Sequence, residues 1–139
     1  MSSDPIIWGP HMWVFLHTLS FEYPDNPTDK EKDHYYTFFK TLKYILPCTV
    51  CKKHYTTFFD NNPIRSSLNN KDSLIRWVLK SHNNVNKSNN KPEWTYTMLV
   101  DKYANIYKKS VYNHITYKNY SIILSIICLL FIIYKTITK

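Results

Sequence analysis

Two cysteines separated by two residues carry the clearest chemical signal in the sequence. They occur in the segment Pro47-Cys48-Thr49-Val50-Cys51. Cysteines at this spacing on one helical face can form a disulfide with little rearrangement, and the N–H groups and dipole of a helix N-terminus stabilise a thiolate. Because proline is favourable at the first position of a helix, we expect a helix to begin at Pro47. The pattern predicts Cys48 as the exposed thiol that undergoes exchange.

A CxxC pair is compatible with a structural zinc half-site, a thioredoxin-type active site or a disulfide coupled to a flavin. Zinc needs four ligands, and the remaining cysteine, Cys128, lies in a long apolar run, so only His54 and His82 are left to complete a set. A thioredoxin-type site needs a strand before the motif, whereas residues 35–46 have helical spacing. We therefore expect no metal.

A redox pair in a helical protein needs an acceptor for two electrons, and a flavin supplies one. Flavin nucleotides bind against flat apolar walls with a few cations and N–H donors. Trp13 and His17 are four residues apart on one predicted helix. A second group of suitable side chains follows later in the chain: Trp77, His82, Asn83, Asn86 and Lys91. The alternative is that these tryptophans are core residues, the histidines lie at the rim of the bundle and the asparagines end a helix.

Amphipathic helices must position these groups. The clearest begins at the predicted capping box of Thr28 and Glu31, and its apolar residues follow a 3.6-residue period up to Pro47. Asp72 is the predicted N-cap of a fourth helix, and a shorter fifth follows Pro92. The fold predicted is all-α: a four-helix bundle plus a short fifth helix. The single glycine makes phosphate-binding loops and Rossmann folds improbable.

The C-terminal part of the chain differs in composition from the rest. Residues 119–134 contain no charge and are flanked by Lys118 and Lys135, which predicts a C-terminal transmembrane helix, with a buried core helix as the alternative. The predicted domains are 1–110 for the bundle, 111–118 for a linker, 119–135 for the anchor and 136–139 for a tail. The N-terminus resembles no secretory signal, so the bundle is expected on the cytosolic side of its membrane. The net charge of +8 accompanies no nucleic-acid-binding motif, and no nucleic acid is expected.

Several motifs in one order closely resemble the ERV/ALR family of FAD-linked sulfhydryl oxidases. They are Trp8-Gly9-Pro10, Leu16-His17, Pro47-Cys48-x-x-Cys51, His82-Asn83-x-Val85-Asn86 and Lys91-Pro92. The resemblance covers about Trp8 to Tyr107. It implies oxidation of two protein thiols to a disulfide, with electrons passing through FAD to O2 and giving H2O2. It also implies a homodimer.

The resemblance assigns roles to individual residues. Cys48 would be attacked by the dithiol substrate, and Cys51 would lie against the flavin. The FAD-binding positions would be Gly9, His11, Trp13, His17, His82, Asn83, Val85, Asn86, Lys91, Lys102 and Tyr103. The alternative function is a catalytically silent, membrane-anchored structural or interaction protein of the same fold.

The chain departs from the family pattern in three ways. Leu46 replaces a tyrosine that commonly precedes the motif, so one flavin contact is either lost or taken over by Tyr44. The usual second disulfide would fall near Phe59 and Ser73, where the sequence has no cysteine. We therefore expect aromatic packing to stabilise the bundle. A distal shuttle cysteine pair is also missing from the sequence, so the substrate must reach Cys48 directly or through a separate thioredoxin-like relay. A minimal, anchored oxidase of this kind resembles those of large DNA viruses, in a virion or host membrane.

Overall fold

The computed structural model describes residues 4–137, without the side chains of 109–119 and 130–137. Five α-helices follow one another: α1 (Pro5–Phe21), α2 (Asp29–Ile45), α3 (Thr49–Asn61), α4 (Lys71–Ser88) and α5 (Tyr96–Ile137). A 3-10 helix, Arg65–Asn69, joins α3 to α4, and the described residues contain no strand. The all-α prediction is therefore confirmed. The chain divides into two compact units, Met1–Tyr96 and Thr97–Lys139.

The first unit holds the four packed helices. Helix α1 packs on α4, α2 packs on α3, and α3 packs on α4, while the 3-10 helix contacts both α2 and α4. The buried core between them is largely aliphatic and aromatic, and its members are Leu16, Tyr23, Phe39, Leu42, Leu46, Phe58, Phe59, Ile64, Leu68, Leu74, Trp77 and Val78.

Local hydrogen bonds fix where the helices begin. The predicted capping box is present, with the Thr28 N–H donating to the Glu31 carboxylate at 2.7 Å and the Glu31 N–H donating to Thr28 Oγ1 at 3.3 Å. The Thr28 hydroxyl, which also donates to the Glu31 carboxylate at 2.7 Å, and the Thr28 N–H together lower the pKa of Glu31. The predicted cap of α4 is wrong: Asn70, not Asp72, accepts the Ser73 N–H, at 2.9 Å. Asp72 instead accepts a hydrogen bond from the guanidinium of Arg76, one turn further along.

Aromatic packing occupies the region where a second family disulfide would lie. Trp77 meets Phe39 and Phe58 edge-on, each with ring centroids 5.3 Å apart, and Phe59 at 6.0 Å. Its indole Nε1 donates to the Asn62 carbonyl at 2.9 Å. Edge-to-face contacts of this kind add to the free energy gained from burial. These contacts match the expectation that rings take over the stabilising role of the missing cross-link.

Helix α4 ends in a Schellman motif that uses asparagine in place of glycine. Asn90 adopts a left-handed backbone conformation with φ 53°. Its N–H donates to the Lys87 carbonyl at 3.2 Å, and the Lys91 N–H donates to the Asn86 carbonyl at 2.8 Å. After glycine, asparagine is the residue that most readily adopts this conformation. The motif fixes the direction in which the chain leaves α4 toward Trp94.

Helix α5 differs from the predicted short fifth helix. It runs for 42 residues, through the predicted linker 111–118 and into the predicted anchor 119–135. No proline or glycine occurs after Pro92, so nothing in the sequence interrupts its backbone hydrogen bonds. Within the part of the chain that the structure describes, no helix has a stretch both long and apolar enough to cross a bilayer. Much of the predicted anchor lies outside the residues whose side chains are described.

Candidate functional site

The two motif cysteines form a disulfide at the start of α3. Cys48 and Cys51 are bonded, with their Cα atoms 5.1 Å apart. Cys48 is the N-cap of the helix, and its Sγ accepts the Cys51 N–H at 3.1 Å. An N-cap sulfur points at the N–H groups of the first turn, and these stabilise negative charge. The geometry therefore favours a thiolate on Cys48 when the pair is reduced.

The predicted exposure of Cys48 is wrong. Its side chain is 8% exposed, whereas Cys51 is half-buried. The helix begins at Thr49 and not at Pro47. Cys48 is therefore the capping residue, and its sulfur accepts a hydrogen bond from the first turn of the helix. Accessibility at this motif depends on that two-residue difference in helix start.

One turn beyond Cys51, Tyr55 is held by the bundle. Its hydroxyl donates to the Phe39 carbonyl at 3.0 Å, and burial raises the pKa of this phenol. A neutral, hydrogen-bonded tyrosine here serves to join α3 to α2. No group of three His, Cys, Asp or Glu suited to holding a metal occurs among the described residues.

A second cluster joins aromatic rings to two histidines on the facing sides of α1 and α4. Trp13 stacks on His82 with ring centroids 4.2 Å apart and planes 8° from parallel. His82 Nδ1 lies 2.9 Å from His17 Nε2, a hydrogen bond between the two rings. His17 is fully buried and His82 is 7% exposed. The structure thus brings together three of the residues that the sequence predicted as FAD-binding.

The same cluster contains a residue that the sequence analysis missed. The centroid of the Trp94 ring lies 4.8 Å from that of the His82 ring. The Asn83 side chain is hydrogen-bonded to both the backbone N–H and the backbone carbonyl of Trp94. Asn83 Nδ2 donates to the Trp94 carbonyl, and the Trp94 N–H donates to Asn83 Oδ1, each at 2.8 Å. Asn83 therefore positions Trp94 beside His82. The one signal in the sequence was an aromatic residue shortly after Lys91-Pro92.

Gly9 and His11 lie on the first turns of α1. A side chain added at Gly9 would meet no atom within 4 Å, so packing within the described chain does not require a glycine there. Glycine inside a helix costs about 1 kcal/mol relative to alanine, which suits a position kept open for a flat ligand. His11 is exposed and lines an apolar cavity of about 400 Å³ with Leu46 and Pro47. Tyr44, the suggested substitute for the family tyrosine, is 65% exposed.

The remaining predicted FAD-binding residues are spread over α4, its C-terminal loop and α5. Asn86 is buried, Val85 is half-buried, and Lys91 is exposed just after the Schellman motif. Lys102 and Tyr103 lie on α5 in the second unit, the former exposed and the latter 3% exposed. Burial raises the pKa of Tyr103 to about 12, so its phenol is neutral at physiological pH.

Comparisons with known proteins agree with this architecture. A probable FAD-linked sulfhydryl oxidase of Acanthamoeba polyphaga mimivirus is 36% identical over 114 residues, which cover 79% of this chain and 80% of that protein. An FAD-linked sulfhydryl oxidase of African swine fever virus is 36% identical over 110 residues, covering 79% of this chain and 87% of that protein.

A solved structure gives the same result for the fold. The crystal structure of the yeast Erv1 core is 28% identical and superposes with a TM-score of 0.68, covering 72% of this chain and 83% of the other. The model of the Erv1 / Alr family matches residues 10–108. That range contains the CxxC disulfide and the stacked Trp13–His82 pair, and the chain belongs to the Erv1/Alr family.

Proposed function

We propose that the chain is an FAD-linked sulfhydryl oxidase that forms disulfides in protein dithiols and delivers their electrons to O2, giving H2O2. The observation that carries this is the disulfide between Cys48 and Cys51 at a helix N-terminus, in a bundle that matches the Erv1 fold. FAD, when bound, accepts two electrons from the reduced cysteine pair and passes them to O2. The chain's own residues carry out the thiol exchange and hold the cofactor.

The thiol steps are assigned from the family resemblance, and the N-cap position of Cys48 supports them. A substrate thiolate attacks Cys48 Sγ, forms a mixed disulfide and releases Cys51 as a thiolate. The second substrate thiolate then attacks the substrate sulfur bonded to Cys48, which completes the substrate disulfide and releases Cys48. The N-terminal N–H groups of α3 stabilise the thiolate on Cys48. Cys48 thus serves as a good leaving group, and Cys51 would be the member of the pair next to the flavin when FAD is bound, as the family resemblance implies.

The residues of the first unit fit a flavin nucleotide. The stacked pair of Trp13 and His82 provides a flat face, and Gly9 leaves a face of α1 open. Lys91 is exposed after α4 and supplies a cation that can pair with a pyrophosphate. In the proposed site Asn83 acts through Trp94, and the other contributing residues of the first unit are His11, His17, Val85 and Asn86.

A homodimer is proposed through α1 and the end of α2. Large apolar side chains are exposed on both helices: Ile6 at 82%, Ile7 at 71%, Phe15 at 48% and Ile45 at 63%. Of these four, Phe15 and Ile45 line the apolar cavity beside Pro47. Apolar surface concentrated in one region is typical of a protein interface, and a second copy of the same face would cover it.

A membrane anchor is proposed for residues 119–135. Apart from Ser121 and Ser125, the described side chains there are apolar or aromatic, and all are exposed, including Ile122, Leu124, Ile127 and Leu129 at 49–63%. A helix that is apolar all round requires an apolar environment. In this arrangement the oxidase domain faces the cytosol from a virion or host membrane and meets its dithiol substrate or a thioredoxin-like relay there.

The test is the visible absorption spectrum of the purified full-length chain in detergent, before and after a dithiol is added. We expect flavin bands that bleach with dithiothreitol and recover in air, with one O2 consumed per disulfide formed. The Cys51→Ala variant is expected to keep its FAD and to lose turnover by roughly a thousandfold or more, because the pair can no longer form a disulfide. Cys128→Ala is the matched control and should retain turnover.

Two results would contradict the proposal. A chain that stays colourless after incubation with FAD does not hold the cofactor. A chain that binds FAD but leaves dithiothreitol reduced is the catalytically silent protein of the same fold. Unchanged turnover in Cys51→Ala would remove that residue from the electron path.

A further inference from the structure

An open cleft of about 410 Å³, lined by basic and amide side chains together with Phe58, lies between α3 and α4, and it shares no residue with the histidine cluster. It begins within one turn of Cys51, since Lys53 and His54 are two and three residues further along α3. Its exposed lining side chains are Lys53, His54, Thr57, Asn61, Asn84 and Lys87. No aspartate or glutamate lines it. The cleft therefore has the opposite chemistry to the apolar cavity between α1 and α2.

The positive charge of this cleft is not neutralised within the described part of the chain. Five ion pairs occur there, and their cations are Lys32, Lys43, Arg65, Lys71 and Arg76. Neither Lys53 nor Lys87 is among them. The one carboxylate on α3, Asp60, is held by Lys43 of α2 at 2.6 Å.

The polar groups of the cleft divide into two sets. Thr57 donates to the Lys53 carbonyl, and Ser88 donates to the Val85 carbonyl, so these hydroxyls are used within their own helices. The ammonium groups of Lys53 and Lys87, with the amide of Asn84 near them, present hydrogen-bond donors at the cleft surface. Donors of this kind pair with carboxylates, and the pairing is strengthened by charge.

We propose that this cleft docks an acidic segment of the dithiol protein that Cys48 oxidises. The inference rests on the proposed function and names the chemistry of its substrate. A protein whose thiol contacts Cys48 must lay its neighbouring chain over the first turns of α3, where Lys53 and His54 are exposed. Aspartates or glutamates in that segment meet uncompensated positive charge. Charge complementarity of this kind raises the association rate and selects among partners.

The experiment compares three synthetic dithiol peptides with the same cysteine pair and acidic, neutral or basic flanking residues. The substrate is oxidised by the full-length FAD-loaded chain, and kcat/KM is measured from O2 uptake. We expect the acidic peptide to be preferred over the neutral one by about tenfold at low salt, and the preference to fall in 0.5 M NaCl because exposed charges are screened. Dithiothreitol oxidation reports the basal activity.

Lys53→Glu/Lys87→Glu is expected to reverse the order of the acidic and basic peptides while leaving dithiothreitol oxidation unchanged. The milder Lys53→Gln/Lys87→Gln variant should abolish the preference for the acidic peptide without reversing it. This variant still tests the proposal if the charge-reversal variant does not fold. The control is Lys30→Glu/Lys40→Glu on α2, which changes the net charge equally and should preserve the preference.

Equal kcat/KM for the acidic and neutral peptides in the unmodified chain would overturn the docking proposal, while normal dithiothreitol oxidation would leave the oxidase function standing. The docking proposal would also be overturned if Lys30→Glu/Lys40→Glu changed the peptide preference as much as Lys53→Glu/Lys87→Glu, because net charge would then explain the effect. If dithiothreitol is not oxidised, the function fails independently, and fluorescence anisotropy of the acidic peptide still tests the cleft. Loss of peptide binding in the Lys53/Lys87 variants supports the proposal, and unchanged binding overturns it.

Discussion

Two tryptophan-centred clusters both involve α4, but their surroundings differ. Trp77 is 5% exposed, meets only phenylalanine rings among its closest aromatic neighbours, and gives its indole N–H to a backbone carbonyl. Trp13 is half-buried and stacks on a histidine that is itself hydrogen-bonded to a second histidine. The same residue type therefore packs the core in one place and forms a polar-aromatic face in the other.

The difference shows which property separates a core aromatic from a binding aromatic. The sequence allows both residues to be either core aromatics or walls of a flavin site, and size and hydrophobicity do not distinguish them. The partners distinguish them: buried imidazoles beside Trp13 need hydrogen bonds, whereas the rings beside Trp77 need only close packing.

The largest effect on stability is expected from Trp77→Ala. Removing a fully enclosed ring leaves a cavity and exposes the edges of its phenylalanine neighbours, so the free energy of unfolding should fall by about 3–5 kcal/mol. Urea unfolding of the FAD-free chain, followed by circular dichroism, measures this. Trp77→Phe, which keeps a ring, is the control and should cost less. A loss below about 1 kcal/mol in Trp77→Ala would show that this cluster is not the core.

Trp13→Ala should have the opposite profile. We expect the dissociation constant for FAD to rise by about 10–100-fold, equal to about 1.4–2.7 kcal/mol, because the flat face over His82 is lost. The unfolding free energy of the FAD-free chain should fall by less than in Trp77→Ala, since Trp13 is only half-buried. Titration with FAD, followed by quenching of flavin fluorescence, and urea unfolding give the two values. Unchanged FAD affinity with a large stability loss would place Trp13 in the core.

Asn83→Ala should produce the smallest of the three effects. It removes two hydrogen bonds to the Trp94 backbone, each worth about 0.5–1.5 kcal/mol net, and lets Trp94 move away from His82. We expect FAD affinity to fall several-fold and the near-ultraviolet circular dichroism of the tryptophans to change. Asn83→Asp keeps the acceptor for the Trp94 N–H, so its FAD affinity should lie between those of the unmodified chain and Asn83→Ala. The exposed Asn26→Ala is the control, and an equal effect there would remove the positioning role from Asn83.

Local sequence rules predicted the helices well where short-range hydrogen bonds decide the outcome. Thr28 and Glu31 form the expected capping box, and α2 ends before Pro47 as its period indicates. The rule failed at α4, where Asn70 and Asp72 are both good caps and Arg76 draws Asp72 into an ion pair. The length of α5 was also missed, because no residue in that region forbids helix and a boundary was inferred from composition alone.

Part of the candidate site could be predicted from the sequence, because its residue types occur in a recognisable order. The cysteine pair, His17 and His82 were all identified from the sequence, and the structure brings the two histidines within hydrogen-bonding distance. Trp94 was missed because its role depends on backbone hydrogen bonds from Asn83, eleven residues earlier. A hydrophobic period cannot predict such a contact, because the path of the loop that returns Trp94 to α4 depends on the left-handed turn at Asn90.

The sequence by itself determined the helical class, the cysteine pair and the identity of Trp13, His17 and His82 as candidate site residues. These depend on residue type and on spacing along one helix, which are properties of a chain segment taken alone. Only the tertiary structure decided that Cys48 is buried as a helix cap, that Trp13 faces His82 while Trp77 fills the core, and that Lys53 and Lys87 line one cleft. Each of those facts depends on distances between helices, which arise when apolar faces pack together and which no single helix encodes.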